Sequence, residues 1–93
     1  MRADHTDPRA LTRALIAEII EADPGALRGY DRLREDLGMD SLGSMELLSS
    51  VSVELKLDIE AEEAMGIVTV DDACAFVERC VAEGRSRVRA PTA

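Results

Sequence analysis

A stripe of apolar residues at helical spacing restricts the fold of this sequence more than any other feature does. Leu47, Val51 and Leu55 recur every four residues, and Leu48 stands beside them. Because residues i, i+4 and i+8 share one face of an α-helix, the stripe predicts a helix over residues 41–56. The stripe itself is the predicted contact of this helix with the hydrophobic core.

Two other segments combine helical spacing with signals for a start and an end. Asp7 followed by proline predicts the start of a first helix over residues 8–22, which the sequence DPG then ends. Thr69 is predicted to cap a last helix, with Asp72 completing a capping box and Gly84 ending the helix. The residues expected to face the core are Leu11, Leu15, Ile16, Ile19 and Ile20 in the first helix and Val70, Ala73, Cys74, Val77 and Val81 in the last.

The segment over residues 26–40 has few apolar residues, and charged residues separate them. This pattern predicts a long loop that contains one helical turn. Connections of this length are uncommon in compact domains and are often functional, so the end of this loop is of interest. The loop is expected to contact the core through four of its apolar residues, Leu27, Tyr30, Leu33 and Leu37.

The predicted fold class is all-α. A short third helix at residues 61–65, ended by Gly66, joins the three main helices in a four-helix bundle with a long loop between helices one and two. With one Phe, one Tyr and no Trp, aliphatic residues and methionine must fill the core, which favours packed helices over a β-sandwich. One domain is expected over residues 1–84, and residues 85–93 are predicted to be a disordered basic tail.

The charge of the chain limits its partners. Nineteen acidic and eleven basic residues give a net charge of −8, which argues against binding nucleic acid or an anionic membrane and favours basic protein partners. The sequence has no uninterrupted apolar run of about 18 residues and no apolar segment near its start, so a cytoplasmic protein is predicted. We expect a monomer.

The residues that ordinary catalytic and metal sites require are missing. Ser41 has no base, since the only histidine is His5 in a polar terminus, and Met39 stands where a hydrolase elbow has glycine. A calcium loop would lack several ligands. Cys74 and Cys80 lie six residues apart on one predicted helix, too far for a disulfide, and they are expected to be reduced and packed.

An apolar pair accompanies Ser41 at the start of the predicted second helix. Leu42 and Met45 point about 140° and 160° away from Leu47 at 100° per residue, so the core does not use them. We interpret them as a small apolar patch for docking a partner, the alternative being incidental exposure. Ser41 would then be displayed beside this patch, where another protein can modify it.

The stretch LREDLGMDSLGSMEL resembles the attachment motif of the phosphopantetheine-dependent acyl carrier proteins of fatty acid and polyketide synthesis. The resemblance extends from Leu11 to Val81, and IVTVDDACAFV is similar to the fourth helix of that family. Gly43 departs from the pattern, since many relatives carry an acid there. The matching positions are Leu33, Leu37, Gly38, Asp40, Ser41, Leu42, Glu46 and Leu47.

The resemblance implies an acyl-carrier-like four-helix bundle that is not an enzyme. Ser41 would receive 4′-phosphopantetheine from coenzyme A through a separate Mg²⁺-dependent phosphopantetheinyl transferase, and Asp40 and Leu42 would flank the attachment. A helix N-terminus favours the phosphodiester that results. Leu42, Met45 and Glu46 would dock the partners, which include the transferase and chain-processing enzymes such as an acyltransferase or ketosynthase.

The sequence is also compatible with two other functions. A peptidyl or aminoacyl carrier more often has Gly-Gly-x-Ser before the helix, whereas Met39-Asp40 is similar to the acyl type. An acidic helical adaptor would share the charge and the fold but leave Ser41 unmodified. The chain starts at a methionine and ends just past the fourth predicted helix, so a free-standing, discrete (type II) carrier of polyketide, fatty acid or related metabolism is expected. The frequent Ala and Arg residues favour bacterial secondary metabolism.

Overall fold

The computed structural model describes residues 7–84, which form a small helical domain without strands in that range. Two 3₁₀ helices lie in the connections, and α1 packs against both of the other α-helices. The all-α prediction is confirmed. The predicted tail at residues 85–93 and His5 lie outside the described residues. The α-helices are α1 (Pro8–Ile20), α2 (Ser41–Leu55) and α3 (Val70–Ala82).

Helix α1 starts as predicted and ends two residues early. The carboxylate of Asp7 accepts the N–H groups of Arg9 at 3.1 Å and Ala10 at 3.2 Å, which satisfies two of the donors that a helix start leaves without partners. Glu21 adopts a left-handed conformation with φ of 60°, which ends the helix. Ile16 is fully buried, and the other predicted core residues of α1 are partly buried.

Helix α3 begins with the predicted capping box. The hydroxyl of Thr69 accepts the N–H of Asp72 at 3.1 Å, and the Asp72 carboxylate accepts the N–H of Thr69 at 3.0 Å. The core prediction was wrong at Val81, which is 41% exposed. The buried face of α3 includes Phe76 and Cys80, and Val81 in the last turn lies at the edge of that face.

The long loop contacts the core where predicted, with one exception. Leu27 and Leu33 are buried and Leu37 is partly buried, but Tyr30 is 69% exposed and its prediction was wrong. The Tyr30 hydroxyl accepts a hydrogen bond from Arg28 at 3.2 Å, and the guanidinium lies over the ring. A phenol that pairs with an exposed cation keeps its hydroxyl in water, which explains the difference.

Backbone hydrogen bonds hold the long loop against the start of α3. Leu33 N–H donates to Val68 at 2.8 Å, and Asp71 N–H donates to Gly29 at 2.9 Å. A Cβ on Gly29 would collide with the Asp71 carboxylate, so glycine permits this close approach. The 3₁₀ helix Ala61–Gly66 lies where the short third helix was predicted. The other 3₁₀ helix, Pro24–Ala26, lies at the start of the loop over residues 26–40 and not within it, where the single helical turn was predicted.

Candidate functional site at the start of α2

The first turn of α2 is fixed from the residue that precedes it. Asp40 has extended backbone angles, and its carboxylate accepts the N–H of Gly43 at 2.8 Å, as an N-cap does. Its carbonyl accepts the N–H of Ser44 at 3.0 Å, which is the first regular helical bond. The predicted cap is confirmed. Ser41, the first residue of the helix, is exposed.

The backbone conformations of the two residues before Asp40 place Asp40 at the start of α2. Gly38 has φ of +75°, a left-handed angle that glycine adopts without strain. Met39 then turns inward and is buried, and its N–H donates to the Leu33 carbonyl at 2.8 Å. The sequence analysis did not place Met39 in the core, although an apolar residue directly before a helix cap is a signal of such packing.

The first turn of α2 also has donors that can bind an anion. Within residues 7–84 the backbone N–H groups of Ser41 and Leu42 have no acceptor, because a helix start lacks the preceding turn and the Asp40 carboxylate accepts only the N–H of Gly43. These donors and the positive end of the helix dipole suit a phosphate group. An exposed serine hydroxyl on the same turn fits a phosphodiester-linked group.

An apolar groove of about 600 Å³ opens beside Ser41, between α2 and the segment around the 3₁₀ helix Ala61–Gly66. Met65, which is 82% exposed, was not predicted as a site residue. It lies on a short 3₁₀ helix, where helical periodicity gives no signal. The groove is lined chiefly by Leu33, Met39, Ser41, Ser44, Met45, Leu48, Met65, Ile67 and Val68.

The three predicted docking residues lie on α2 but in different surroundings. Leu42 is 69% exposed and Met45 is 58% exposed, so the core uses neither, as predicted. Met45 lines the apolar groove, whereas Leu42 does not. Glu46 borders a second depression of about 390 Å³ between α1 and α2, together with Glu18. Helix α2 therefore presents an apolar side and an acidic side next to Ser41.

A family model described as "phosphopantetheine attachment site" matches residues 10–77, which is more than half of the chain. The chain belongs to the acyl carrier protein family. An acyl carrier protein of Prochlorococcus marinus (strain MIT 9515) is 32% identical to it over 65 residues, an alignment that covers 70% of this chain and 81% of that protein.

Membership of the family confirms the cofactor, a covalently attached 4′-phosphopantetheine, and means that the protein is a carrier and not an enzyme. Carriers of this family interact with a phosphopantetheinyl transferase and with biosynthetic enzymes. No helix within residues 7–84 is long and apolar enough to cross a membrane.

Proposed function

We propose that Ser41 is the attachment site of the phosphopantetheine group and that the protein carries acyl groups as thioesters on that arm. The observation that carries the proposal is the exposed Ser41 hydroxyl on the first turn of α2. It lies beside the backbone N–H groups of Ser41 and Leu42, which have no acceptor in the described part of the chain. The family match includes this position. When attached, the arm supplies a terminal thiol that holds the acyl group.

In the attachment reaction this chain itself only presents the Ser41 hydroxyl and binds the phosphate. The Ser41 oxygen would form a bond to the phosphorus of coenzyme A that carries the pantetheine. The bond from that phosphorus to adenosine 3′,5′-bisphosphate would break, and a base of the transferase would take the hydroxyl proton. Asp40 keeps the first turn in place through its bond to the Gly43 N–H. The N–H groups of Ser41 and Leu42 would donate to the phosphate oxygens.

Leu42, Met45 and Glu46 are the proposed docking residues for the transferase and for acyltransferase or ketosynthase partners. All three are exposed within six residues of Ser41. The apolar pair offers area to bury, and Glu46 with its acidic neighbours attracts basic surfaces. The groove next to Ser41 presents methionine and aliphatic side chains to the acyl group on the arm.

We propose a cytoplasmic, monomeric carrier that serves enzymes of polyketide, fatty acid or related secondary metabolism. The proposed carrier domain spans residues 1–84, with residues 85–93 as a basic tail. Two observations support an acyl cargo over an aminoacyl one. Met39-Asp40 precedes Ser41 where peptidyl carriers more often have glycine, and the relative from Prochlorococcus marinus is named an acyl carrier protein.

Intact-mass spectrometry tests the proposal. The purified protein is incubated with coenzyme A, Mg²⁺ and a phosphopantetheinyl transferase of broad specificity, and we expect a gain of one phosphopantetheinyl group. The modified protein is then offered to an acyltransferase with acyl-coenzyme A and to an amino-acid-activating enzyme with ATP. Acylation by the first supports an acyl carrier. Loading by the second alone identifies an aminoacyl carrier, and no modification with several transferases favours the unmodified adaptor.

A further inference from the structure

Gly43 occupies a position on α2 where a side chain has no room. A Cβ built on Gly43 would lie 2.9 Å from Cγ of Met39 and 3.4 Å from a carboxylate oxygen of Asp40. It would also lie 3.4 Å from Cγ2 of Ile19 in α1. Carbon atoms that are not bonded to each other rest about 3.5–4.0 Å apart. The contact with Met39 is therefore too short to be absorbed without movement.

The Met39 side chain cannot easily move away from a Cβ at position 43. Its side chain is buried, and its backbone N–H is held by the Leu33 carbonyl at 2.8 Å. Cγ is only two bonds from Cα, so moving this atom requires a new rotamer in a packed interior or a shift of the backbone. A backbone shift at Met39 would reach Asp40 and Ser41, because they are the next two residues.

The alternative response is a tilt of the first turn of α2, which also moves Ser41. Such a tilt would strain the 2.8 Å bond between the Asp40 carboxylate and the Gly43 N–H. Met45 and Glu46 lie a turn further along, beyond the contact with Met39. Either response would therefore change where the Ser41 hydroxyl stands relative to the surface that docks partners.

We propose that Gly43 is a positioning residue for the modification of Ser41. Its missing Cβ lets Met39 pack beneath the first turn, and that packing sets the position of the serine hydroxyl. The inference rests on the proposed function of Ser41. It explains why glycine is present inside a helix, where it is less stable than alanine.

The test compares the kinetics of phosphopantetheine transfer to wild type and to Gly43→Ala. A displaced hydroxyl impairs the reaction and not the docking, so kcat should fall about 10- to 100-fold while KM stays within about twofold. Gly66→Ala is the matched control, because a Cβ at Gly66 would meet nothing within 4 Å. This variant should match wild type. Circular dichroism verifies that each variant is folded at the assay temperature.

A double variant isolates the contact with Met39. Shortening Met39 to alanine removes Cγ, and the methyl group introduced at position 43 then packs beneath the first turn in its place, so Met39→Ala with Gly43→Ala should return kcat to within about threefold of wild type, a non-additive result. If Gly43→Ala alone does not fold, the double variant carries the test and should be folded and rapidly modified. A double variant that is unfolded or slow overturns the inference.

Two further results would also overturn it. The first is a folded Gly43→Ala variant with the kcat of wild type, while wild type itself is modified normally. The second is an equal loss in Gly66→Ala, which would trace the effect to glycine replacement in general. Failure of wild type to be modified at all is distinguishable, since it removes the proposed role of Ser41.

Discussion

The guanidinium of Arg9 in α1 donates two hydrogen bonds to the carboxylate of Glu78 in α3, through Nε at 3.0 Å and through Nη2 at 3.1 Å. The bonds to Glu78 raise the pKa of Arg9, which stays charged at any relevant pH. Because both side chains are about two-fifths exposed, water and salt weaken the pair. The pair fixes the start of α1 against α3, on a face that does not include Ser41.

Glu78→Gln is expected to lower the free energy of unfolding by at most about 1 kcal/mol, because it removes the charge from a half-exposed pair. That change corresponds to a fall in Tm of about 4–8 °C for a domain of this size. Glu18→Gln is the control, since Glu18 is exposed and none of the ion pairs described within residues 7–84 includes it. Equal losses in the two variants at low and high salt would contradict the prediction.

Asp72 is expected to make stability depend on pH in the acid range. Its carboxylate accepts the N–H groups of Thr69 and Val68, both at 3.0 Å, which lowers the pKa of Asp72 below its ordinary value of 3.8. The folded protein thus favours the ionised form. This contribution is fully present above pH 3.8 and is lost as the pH falls through the lower folded-state pKa.

Asp72→Asn tests this assignment by chemical unfolding from about pH 7 to about pH 2.5. The variant should be less stable than wild type at neutral pH, and the difference should shrink as wild-type Asp72 becomes protonated. A difference that stays constant down to the lowest pH would show that the charge of Asp72 is not responsible.

Sequence patterns predicted the elements that local interactions determine. The stripe of Leu47 and Val51 and the cap at Asp40 depend on residues within one helix or its flank, and the structure confirms all three. The capping box of α3 is local in the same sense.

The errors and omissions concern residues of the loops and the 3₁₀ helix, where no helical repeat indicates which side chains are buried. Met39 is buried and its N–H is held by the Leu33 carbonyl, while Tyr30 stays exposed with its hydroxyl hydrogen-bonded to Arg28. The side of the groove that contains Met65 comes from a 3₁₀ helix, whose residues have no hydrophobic repeat to reveal it. No hydrophobic repeat carries this information, and only Met39, directly before the helix cap, had a local signal.

The two cysteines are expected to be unreactive in the folded protein. Both are buried, and burial raises the pKa of Cys74, which disfavours its reactive thiolate. A thiol reagent at about pH 8 should label them about 100-fold or more slowly than in denaturant, because only opened molecules react. After phosphopantetheine transfer, one rapidly reacting thiol per chain should appear. Rapid labelling before transfer would contradict the packing described here.

Glu46→Lys is expected to slow the reactions with partner enzymes without destabilising the fold. Glu46 is exposed on α2, and reversing its charge weakens attraction to basic surfaces, which mainly lowers the association rate. The effect of salt on the transfer rate should also become smaller. Glu60→Lys is the matched control, because it gives the same net charge at an exposed position outside α2. Equal effects of both variants would attribute the change to net charge alone.

Replacement of Ser41 tests the central claim most directly. Ser41→Ala should change the free energy of unfolding by no more than about 0.5 kcal/mol, because Asp40 remains the cap and alanine is a good helix former. Ser44→Ala, at an exposed position that also lines the groove, is the matched control. Intact-mass spectrometry after incubation with coenzyme A, Mg²⁺ and a transferase should show one phosphopantetheinyl group on wild type and Ser44→Ala and none on folded Ser41→Ala. A phosphopantetheinyl group on Ser41→Ala, or none on wild type with several competent transferases, would contradict the account.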